Sequence, residues 1–228
     1  MTLLALGDST SCGEGVGVRV PHEQTWPVLL ADQLGLDVHV AARPGARVRD
    51  LAGQLVGCPP GRLATVLVGC NDVIRPTGAP LDRDLEGAFD ELSARVEQVV
   101  VMRLHDPTRL LPLAGPLRSV VVRRVCAVNA ALDRVVRDRP GVVVVDLDRV
   151  VGLRHRSAWA VDRLHPSPHG HAVLATALSR ALGAAVSPPP LPASAPGLVG
   201  EAVWLLRHGL PWVALRGPEL LPGRRIPV

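Results

Sequence analysis

Short apolar runs alternate with longer segments of helical periodicity along the first 186 residues of the chain. This alternation is typical of βαβ units, in which helices connect the strands of a parallel sheet. The pattern therefore predicts an α/β fold. The predicted strands are Leu3–Leu6, Val38–Ala41, Ala64–Val68, Arg109–Leu113 and Val142–Val145.

The segments between these strands carry apolar residues at intervals of three and four, which indicates helices with one buried face. The clearest of them begins after Thr25, a residue suited to an N-cap, and ends at Gly35. Its first turn contains Pro27, where the missing N–H costs nothing. The predicted helices are Thr25–Leu34, Arg47–Val56, Leu85–Met102, Leu117–Val136 and Gly170–Leu182.

The composition changes after Val186, because residues 187–228 hold 9 of the 22 prolines. We therefore predict one large domain over residues 1–186, followed over 187–228 by a stiff linker and a C-terminal extension. Within that extension, Glu201–Leu210 has the pattern of a short amphipathic helix. The favoured interpretation is that the extension packs on the domain, and the alternative is a partner-docking or membrane-surface segment.

The composition excludes several classes of protein. With 47% hydrophobic and 20% charged residues, and a mean hydropathy of +0.25, the chain is globular and not disordered. All 25 basic residues are arginine, which excludes Schiff-base and P-loop lysine chemistry. The net charge of +4 forms no basic stripe and aromatic residues make up only 2%, so no nucleic-acid partner is expected.

The first residues and the cysteines bear on the compartment. Residues 1–8 hold no basic region and only a brief apolar run, so no secretory signal is expected, and no stretch is long enough for stable membrane insertion. The chain has 4 cysteines without a C-x-x-C pair. We therefore expect a cytoplasmic protein with reduced thiols.

Two polar residues follow predicted strands at positions suited to chemistry. Ser9 stands in Gly7-Asp8-Ser9-Thr10 after the first strand, and Asn71 follows the strand that ends near Val68. The carboxyl ends of parallel strands meet at one edge of a sheet, where α/β proteins bind ligands. A serine there exposes its hydroxyl, and an asparagine there can donate to a developing oxyanion. The alternatives are a helix cap for Ser9 and an Asx-turn for Asn71.

Two further positions fit the same edge. Gly45 follows the second strand and can offer a backbone N–H that substrate approaches closely, although a turn glycine is the alternative. Asp162 precedes His165 by three residues just before the last core helix. Such a carboxylate can hold the imidazole Nδ1–H, leaving Nε2 to take a proton from a serine. The alternative is a helix cap beside a surface histidine.

Together these blocks resemble the SGNH hydrolase superfamily, also called GDSL esterases and lipases, over about residues 2–185. The resemblance implies a three-layer α/β/α sandwich with a flavodoxin-like, mostly parallel central sheet. It further implies that Ser9 is the nucleophile, His165 the general base and Asp162 its orienting acid. The oxyanion hole would consist of the Ser9 and Gly45 N–H groups and the Asn71 side chain.

We therefore predict a serine esterase that acts on a small-molecule acyl ester and needs no cofactor or metal. An acyltransferase with the same acyl-enzyme and a non-catalytic binding module on the same fold are the alternatives. His169 and His171 lie near His165, but their spacing points them in different directions, so we expect solvent-facing histidines and no metal site. The acyl chain, the alcohol and the oligomeric state stay open at this point.

Overall fold

The computed structural model describes residues 1–15, 17–76, 80–111, 113, 115–192, 197–211 and 214–215. Five of its strands form one parallel sheet, and two short strands form a separate antiparallel pair. In chain order the strands are β1 (Thr2–Gly7), β2 (Glu14–Gly15), β3 (Val18–Arg19), β4 (Asp37–Val40), β5 (Gly61–Leu67), β6 (Val96–Arg103) and β7 (Val142–Asp146).

The main sheet has the order β4-β1-β5-β6-β7, and every neighbouring pair in it is parallel. Counted within this sheet alone, the order is 2-1-3-4-5, which is the flavodoxin-like arrangement. From β1 the chain first adds β4 on one side, and it then crosses over to add β5, β6 and β7 on the other side. The strand β1 therefore lies between β4 and β5. The loops that follow these three strands therefore lie side by side at one edge.

Helices cover both faces of the sheet. In chain order they are α1 (Ser9–Cys12), α2 (Trp26–Leu34), α3 (Leu51–Leu55), α4 (Cys70–Ile74), α5 (Leu81–Ser93), α6 (Gly115–Val136), α7 (Pro168–Ala181) and α8 (Leu198–Trp204), the last continuing as a π-helical turn over Leu205–Gly209.

Two hydrophobic layers lie on opposite faces of the sheet, and alternate side chains of each strand contribute to each layer. Leu3 of β1 packs in a cluster with Trp26 of α2 and Leu174 of α7, whereas its neighbour Leu4 packs on the opposite face with Phe89 of α5. Successive side chains of a strand point to opposite faces, so each strand contributes to both layers. The three-layer α/β/α sandwich with a parallel central sheet is thus confirmed.

Two sequence predictions in the middle of the chain are wrong. The predicted helix Leu85–Met102 is a helix only to Ser93, and the fourth strand of the sheet is Val96–Arg103, not Arg109–Leu113. The segment Pro107–Arg109 forms a 3₁₀ turn instead. Because β6 is buried on both faces, its valines do not alternate with polar residues, and its run continued the helical pattern of α5.

The remaining helices agree with the sequence to within a few residues at each end. Gly35 ends α2 in the left-handed conformation, with φ of +65°. Thr25 is its N-cap, but among the described residues the Thr25 hydroxyl donates to the carbonyl of His22 and does not cap the helix. The predicted helix Arg47–Val56 is divided into the 3₁₀ turn Val48–Asp50 and α3.

The described part of the C-terminal extension contains α8 and the turn that follows it. Glu201 of α8 forms ion pairs with Arg156 and Arg163 of the domain. The division of the chain after residue 186 stays a prediction. None of the helices in the described ranges combines the length and apolar character that a membrane span requires.

Candidate active site

Ser9 lies directly beyond the carboxyl end of β1, at the start of α1. Gly7 allows the sharp exit from the strand, because its φ is +144° and a Cβ atom there would lie 2.1 Å from the carbonyl oxygen of Leu67. Asp8 then caps α1: its Oδ1 accepts from the backbone N–H of Thr10 at 2.9 Å and from the Thr10 hydroxyl at 2.7 Å. The backbone around Ser9 is therefore fixed on both sides.

The side chain of a buried glutamine forms hydrogen bonds with the backbone at the end of β1. The Gln54 amide donates to the carbonyl of Gly7 at 2.8 Å and accepts from its N–H at 2.9 Å. Gln54 is only 2% exposed, so both bonds are shielded from water. Its side chain thus supplies a pair of hydrogen bonds like those of a neighbouring strand, beyond the point where β4 has ended.

The helix α1 also contacts Trp26, which in turn is held by His171. The indole Nε1–H of Trp26 donates to the carbonyl of Thr10 at 3.1 Å, and the backbone N–H of Trp26 donates to Nδ1 of His171 at 3.0 Å. His171 is fully buried, so the expectation of a solvent-facing side chain was wrong. Burial, and then the nearby charge of His165, lowers the pKa of His171 to about 4, which leaves the ring neutral near pH 7.

The turn Asp162–His165 brings a carboxylate and an imidazole together. One oxygen of Asp162 accepts the backbone N–H groups of Leu164 and His165, each at 3.0 Å. This closed turn places Arg163 at φ of +58°, the only positive φ at a non-glycine residue in the described ranges. The second oxygen of Asp162 faces Nδ1 of His165 at 2.5 Å.

The other nitrogen of the same imidazole reaches Ser9. The Nε2 atom of His165 lies 2.8 Å from Oγ of Ser9, so the ring connects the carboxylate of Asp162 to the hydroxyl. Since Nδ1 faces a carboxylate, it carries the proton, and Nε2 is left as an acceptor. An imidazole held in this way can take the proton of the hydroxyl and turn it into a nucleophile.

The charges around this pair influence each other. Burial alone would lower the pKa of His165, but the hydrogen bond and charge of Asp162, with a smaller contribution from Asp8, raise it above its usual value. Burial alone would likewise raise the pKa of Asp162, yet the hydrogen bonds from His165 and Leu164 bring it below the usual value. The carboxylate therefore stays ionised, and the ring is a stronger base than a free histidine.

The loops after β4 and β5 meet beside this arrangement. The Nδ2 group of Asn71 donates to the carbonyl of Ala46 at 3.1 Å, next to Gly45, which has φ of +77°. Arg75 joins the two loops, because its Nη2 donates to the carbonyl of Gly45 at 3.0 Å and to Oδ1 of Asn71 at 3.2 Å. The structure thus brings Gly45 and Asn71 together, as it does Ser9, Asp162 and His165.

Three polar residues of this region were not found from the sequence. Arg75 stands one helical turn after Asn71, a spacing at which side chains meet, and this was its available signal. Asp72 accepts the backbone N–H of Val48 at 3.0 Å and so anchors the next segment of the Gly45 loop. Glu201 is remote in sequence, and no local pattern indicates it.

The described residues contain no group of three or more His, Cys, Asp or Glu side chains that could hold a metal ion. Ser9 faces the imidazole of His165, which in turn is engaged by the carboxylate of Asp162. These are the groups of acid-base and nucleophilic chemistry.

Comparison with solved structures supports the fold. LAE5, an alpha/beta hydrolase enzyme from the metagenome of Lake Arreo, Spain, is 26% identical with a TM-score of 0.57, over 82% of this chain and 96% of that one. An extracellular lipase from Streptomyces rimosus is 22% identical with a TM-score of 0.60, over 79% of this chain and 99% of that one. A variant of Axe2, an acetyl xylan esterase from Geobacillus stearothermophilus, is 21% identical with a TM-score of 0.57, over 82% and 96%.

Among proteins with curated descriptions, none matches this chain. The sequence profile of the GDSL-like lipase/acylhydrolase family matches residues 5–173, which is well over half of the chain and includes all five residues singled out in the sequence. The resemblance read from the sequence is thereby confirmed: the chain belongs to the GDSL-like lipase/acylhydrolase family and is a hydrolase that acts on esters.

Proposed function

We propose that the protein is a serine esterase that cleaves carboxylic esters through an acyl-enzyme on Ser9. The observation that carries this proposal is the position of His165, with one ring nitrogen 2.5 Å from Asp162 and the other 2.8 Å from the Ser9 hydroxyl. A serine hydroxyl is a weak nucleophile by itself and needs a base at hydrogen-bond distance.

In the first half of the reaction, Oγ of Ser9 attacks the acyl carbon while its proton passes to Nε2 of His165. The resulting tetrahedral intermediate collapses, the bond between the acyl carbon and the alcohol oxygen breaks, and Nε2 returns the proton to the leaving alcohol. In the second half, water attacks the acyl carbon while its proton passes to Nε2 of His165. The bond between the acyl carbon and Oγ of Ser9 then breaks, Nε2 returns the proton to Oγ, and the acid leaves. Asp162 holds the ring in the correct tautomer and stabilises its protonated form.

The negative charge that develops on the carbonyl oxygen needs hydrogen-bond donors, for which we propose the N–H groups of Ser9 and Gly45 and the amide of Asn71. The orientation of Asn71 supports its role. One N–H of its amide is engaged by Ala46 and its oxygen by Arg75, which leaves the second N–H available to a substrate. Donors held in place before the reaction begins stabilise the transition state without a cost of reorganisation.

The substrate is a small-molecule ester of a carboxylic acid. Two of the structural relatives are described as an acetyl xylan esterase and an extracellular lipase, so both names fit the hydrolysis of esters. The 4 cysteines of this chain are free thiols, which supports the expectation of a reducing compartment such as the cytoplasm.

The test is covalent labelling with a fluorophosphonate, in which Oγ of Ser9 attacks phosphorus and fluoride leaves. Mass spectrometry of the intact protein and its peptides should show one adduct on Ser9, and p-nitrophenyl acetate hydrolysis should cease in parallel. Ser9→Ala should take up no reagent and lose roughly 10⁶-fold in turnover. Absence of an adduct on the wild-type protein would favour a binding module instead.

Product analysis separates the esterase from the acyltransferase. Both share the acyl-enzyme, and they differ only in whether water or another nucleophile accepts the acyl group. We expect free acid as the main product when alcohols are added at millimolar concentration. Preferential transfer to an added alcohol under these conditions would instead assign the protein as an acyltransferase.

A further inference from the structure

The loop that carries Asp162 and His165 contains one residue in an unfavourable backbone conformation. Arg163, between them, has φ of +58°, in the left-handed region that residues with a Cβ atom adopt only at an energetic cost. In this conformation Leu164 and His165 both donate their backbone N–H groups to Asp162. A strained residue persists only where its surroundings hold it.

The side chain of Arg163 is held from two directions. Its Nη1 donates to the carbonyl of Leu110 at 3.1 Å, and its Nη2 donates to Oε2 of Glu201 at 2.5 Å. Leu110 belongs to the domain, whereas Glu201 belongs to α8, beyond residue 173, where the family match ends. One of the two anchors of this loop therefore lies in the C-terminal extension.

Glu201 also holds the beginning of the same loop. Its Oε1 accepts from Nε of Arg156 at 2.9 Å and from Nη2 of the same guanidinium. Arg156 in turn donates through Nη1 to the carbonyl of Trp159 at 2.7 Å, and Trp159 forms a β-bridge with Pro166. A single carboxylate thus connects two arginines on either side of the segment that leads to Asp162.

This ion-pair cluster is partly shielded from water. The side chain of Glu201 is 14% exposed, and those of Arg156 and Arg163 are 24% and 30% exposed. Burial alone would raise the pKa of Glu201, but the hydrogen bonds and charges of the two arginines bring it below the usual value, so the carboxylate stays charged. Partly buried, multiply hydrogen-bonded pairs restrain geometry more strongly than isolated surface pairs.

The extension is also linked to His165 indirectly, through the hairpin of β2 and β3. A Cβ atom on Gly15 of β2 would lie 2.5 Å from ring atoms of His165, and one on Gly17 would lie 2.6 Å from the ring of His208. The hairpin of β2 and β3 therefore contacts the histidine of the site through one glycine and the extension through the other.

We propose that the C-terminal segment Leu198–Gly209 is a working part of the active site, with Glu201 as a positioning residue that holds the Asp162–His165 loop. This proposal rests on the proposed function, because its test measures ester hydrolysis and the labelling of Ser9. Glu201 acts through Arg163 and contacts neither substrate nor the reacting atoms. A change at Glu201 should therefore alter the alignment of His165, and with it kcat and the acid limb of the pH profile, and should leave substrate binding little changed.

The test compares Glu201→Gln with Glu201→Asp and with Asp82→Asn. The first keeps the shape and removes the charge, and the second keeps the charge. The third breaks a two-bond ion pair with Arg134 that lies on helices α5 and α6. Rates are measured with p-nitrophenyl acetate from pH 5 to 9, together with thermal unfolding and the rate of fluorophosphonate labelling.

We expect Glu201→Gln to lower kcat roughly 10-fold with little change in KM, because a small displacement of a catalytic group is costly. The acid limb of its pH profile should move to lower pH, since His165 loses part of its contact with Asp162. Glu201→Asp should recover much of the loss, and Asp82→Asn should match the wild type in both rate and acid limb.

Wild-type kcat and an unmoved acid limb in a folded Glu201→Gln protein would overturn the proposal. If that variant does not fold, Arg163→Gln decides the question, because it breaks the same ion pair from the loop side and leaves the Arg156–Glu201 pair in place. Wild-type kcat and an unmoved acid limb in Arg163→Gln would again count against the proposal. Failure of the proposed function would give a different result, because the wild-type protein itself would then take up no label on Ser9.

Discussion

Gly15 leaves room for the ring of His165: a Cβ atom at this position would lie 2.5 Å from both Cε1 and Nδ1 of the imidazole. The atoms in question belong to the part of the ring that faces Asp162. A methyl group there would push the imidazole away from its partner rather than disturb the backbone of the domain.

The first prediction therefore concerns Gly15→Ala. We expect kcat on p-nitrophenyl acetate to fall roughly 100-fold, because the ring loses its alignment with both Asp162 and Ser9. The unfolding free energy should change by less than about 1 kcal/mol, since the residue lies in a short surface hairpin. Gly53→Ala is the matched control: nothing lies within 4 Å of a Cβ atom there, so activity should be unchanged. Equal activity of the two variants would contradict the prediction.

The second prediction concerns the amide of Asn71. Asn71→Ala should lower kcat by about 100- to 1,000-fold, the usual cost of one oxyanion donor, with KM changed far less. Fluorophosphonate should still label Ser9 in this variant, more slowly than in the wild type. Near-ultraviolet circular dichroism and thermal unfolding serve as the folding control. A kcat within a factor of three of the wild type would remove Asn71 from the donor set.

The third prediction is the position of the acid limb in the pH profile. Only the neutral ring of His165 can accept a proton from Ser9, and Asp162 raises the pKa of that ring. The value of kcat/KM should therefore fall as the pH drops through a midpoint above 6.5, the ordinary value for histidine. In Asp162→Asn the limb should shift to lower pH, and the rate at its plateau should fall roughly 10⁴-fold. A midpoint at or below 6.5 in the wild-type protein would contradict this assignment.

The fourth prediction concerns stability in acid. Burial lowers the pKa of His171 to about 4 in the folded protein, whereas an unfolded histidine titrates near 6.5. The unfolded state binds the extra proton between these values, so the unfolding free energy should decrease as the pH falls from 6.5 towards 4. This single group contributes up to about 3 kcal/mol over that range.

His171→Asn isolates that contribution, because the asparagine oxygen can still accept the N–H of Trp26. Urea unfolding at pH 7 and pH 5 should give a smaller difference for the variant than for the wild type. The variant keeps His105, whose pKa burial also lowers to about 4, so part of the acid dependence remains in both proteins. Identical differences in the two proteins would mean that His171 does not titrate as inferred.

The sequence predicted where the candidate residues lie in the fold better than it predicted the elements between them. Ser9, Gly45 and Asn71 each follow a strand, and a parallel sheet collects such positions at one edge whatever the exact boundaries are. The strand Val96–Arg103 was missed because it is buried on both faces and follows α5 after two residues, with neither glycine nor proline between them. Periodicity alone does not separate such a strand from the end of a helix.

The other contacts that could not be predicted from the sequence join residues far apart in the chain. Glu201 lies 38 residues beyond Arg163, and Gln54 lies 47 residues beyond Gly7. Neither separation produces a local pattern, since the partners meet only after the sheet has formed. His171 was misjudged for a related reason: its position two residues from His169 indicates which way it points on the helix, but not that Trp26 covers it.

The sequence separation of 156 positions between Ser9 and His165 also sets an order of events as the chain is made. The serine leaves the ribosome before the histidine does, and it remains an ordinary alcohol while the strands between them emerge and pair. Domains generally acquire their structure as units once enough of the chain is available. Under the proposed mechanism, the hydroxyl of Ser9 therefore becomes reactive only after His165 has been made and placed, and a nascent chain that stops before His165 holds an unactivated alcohol.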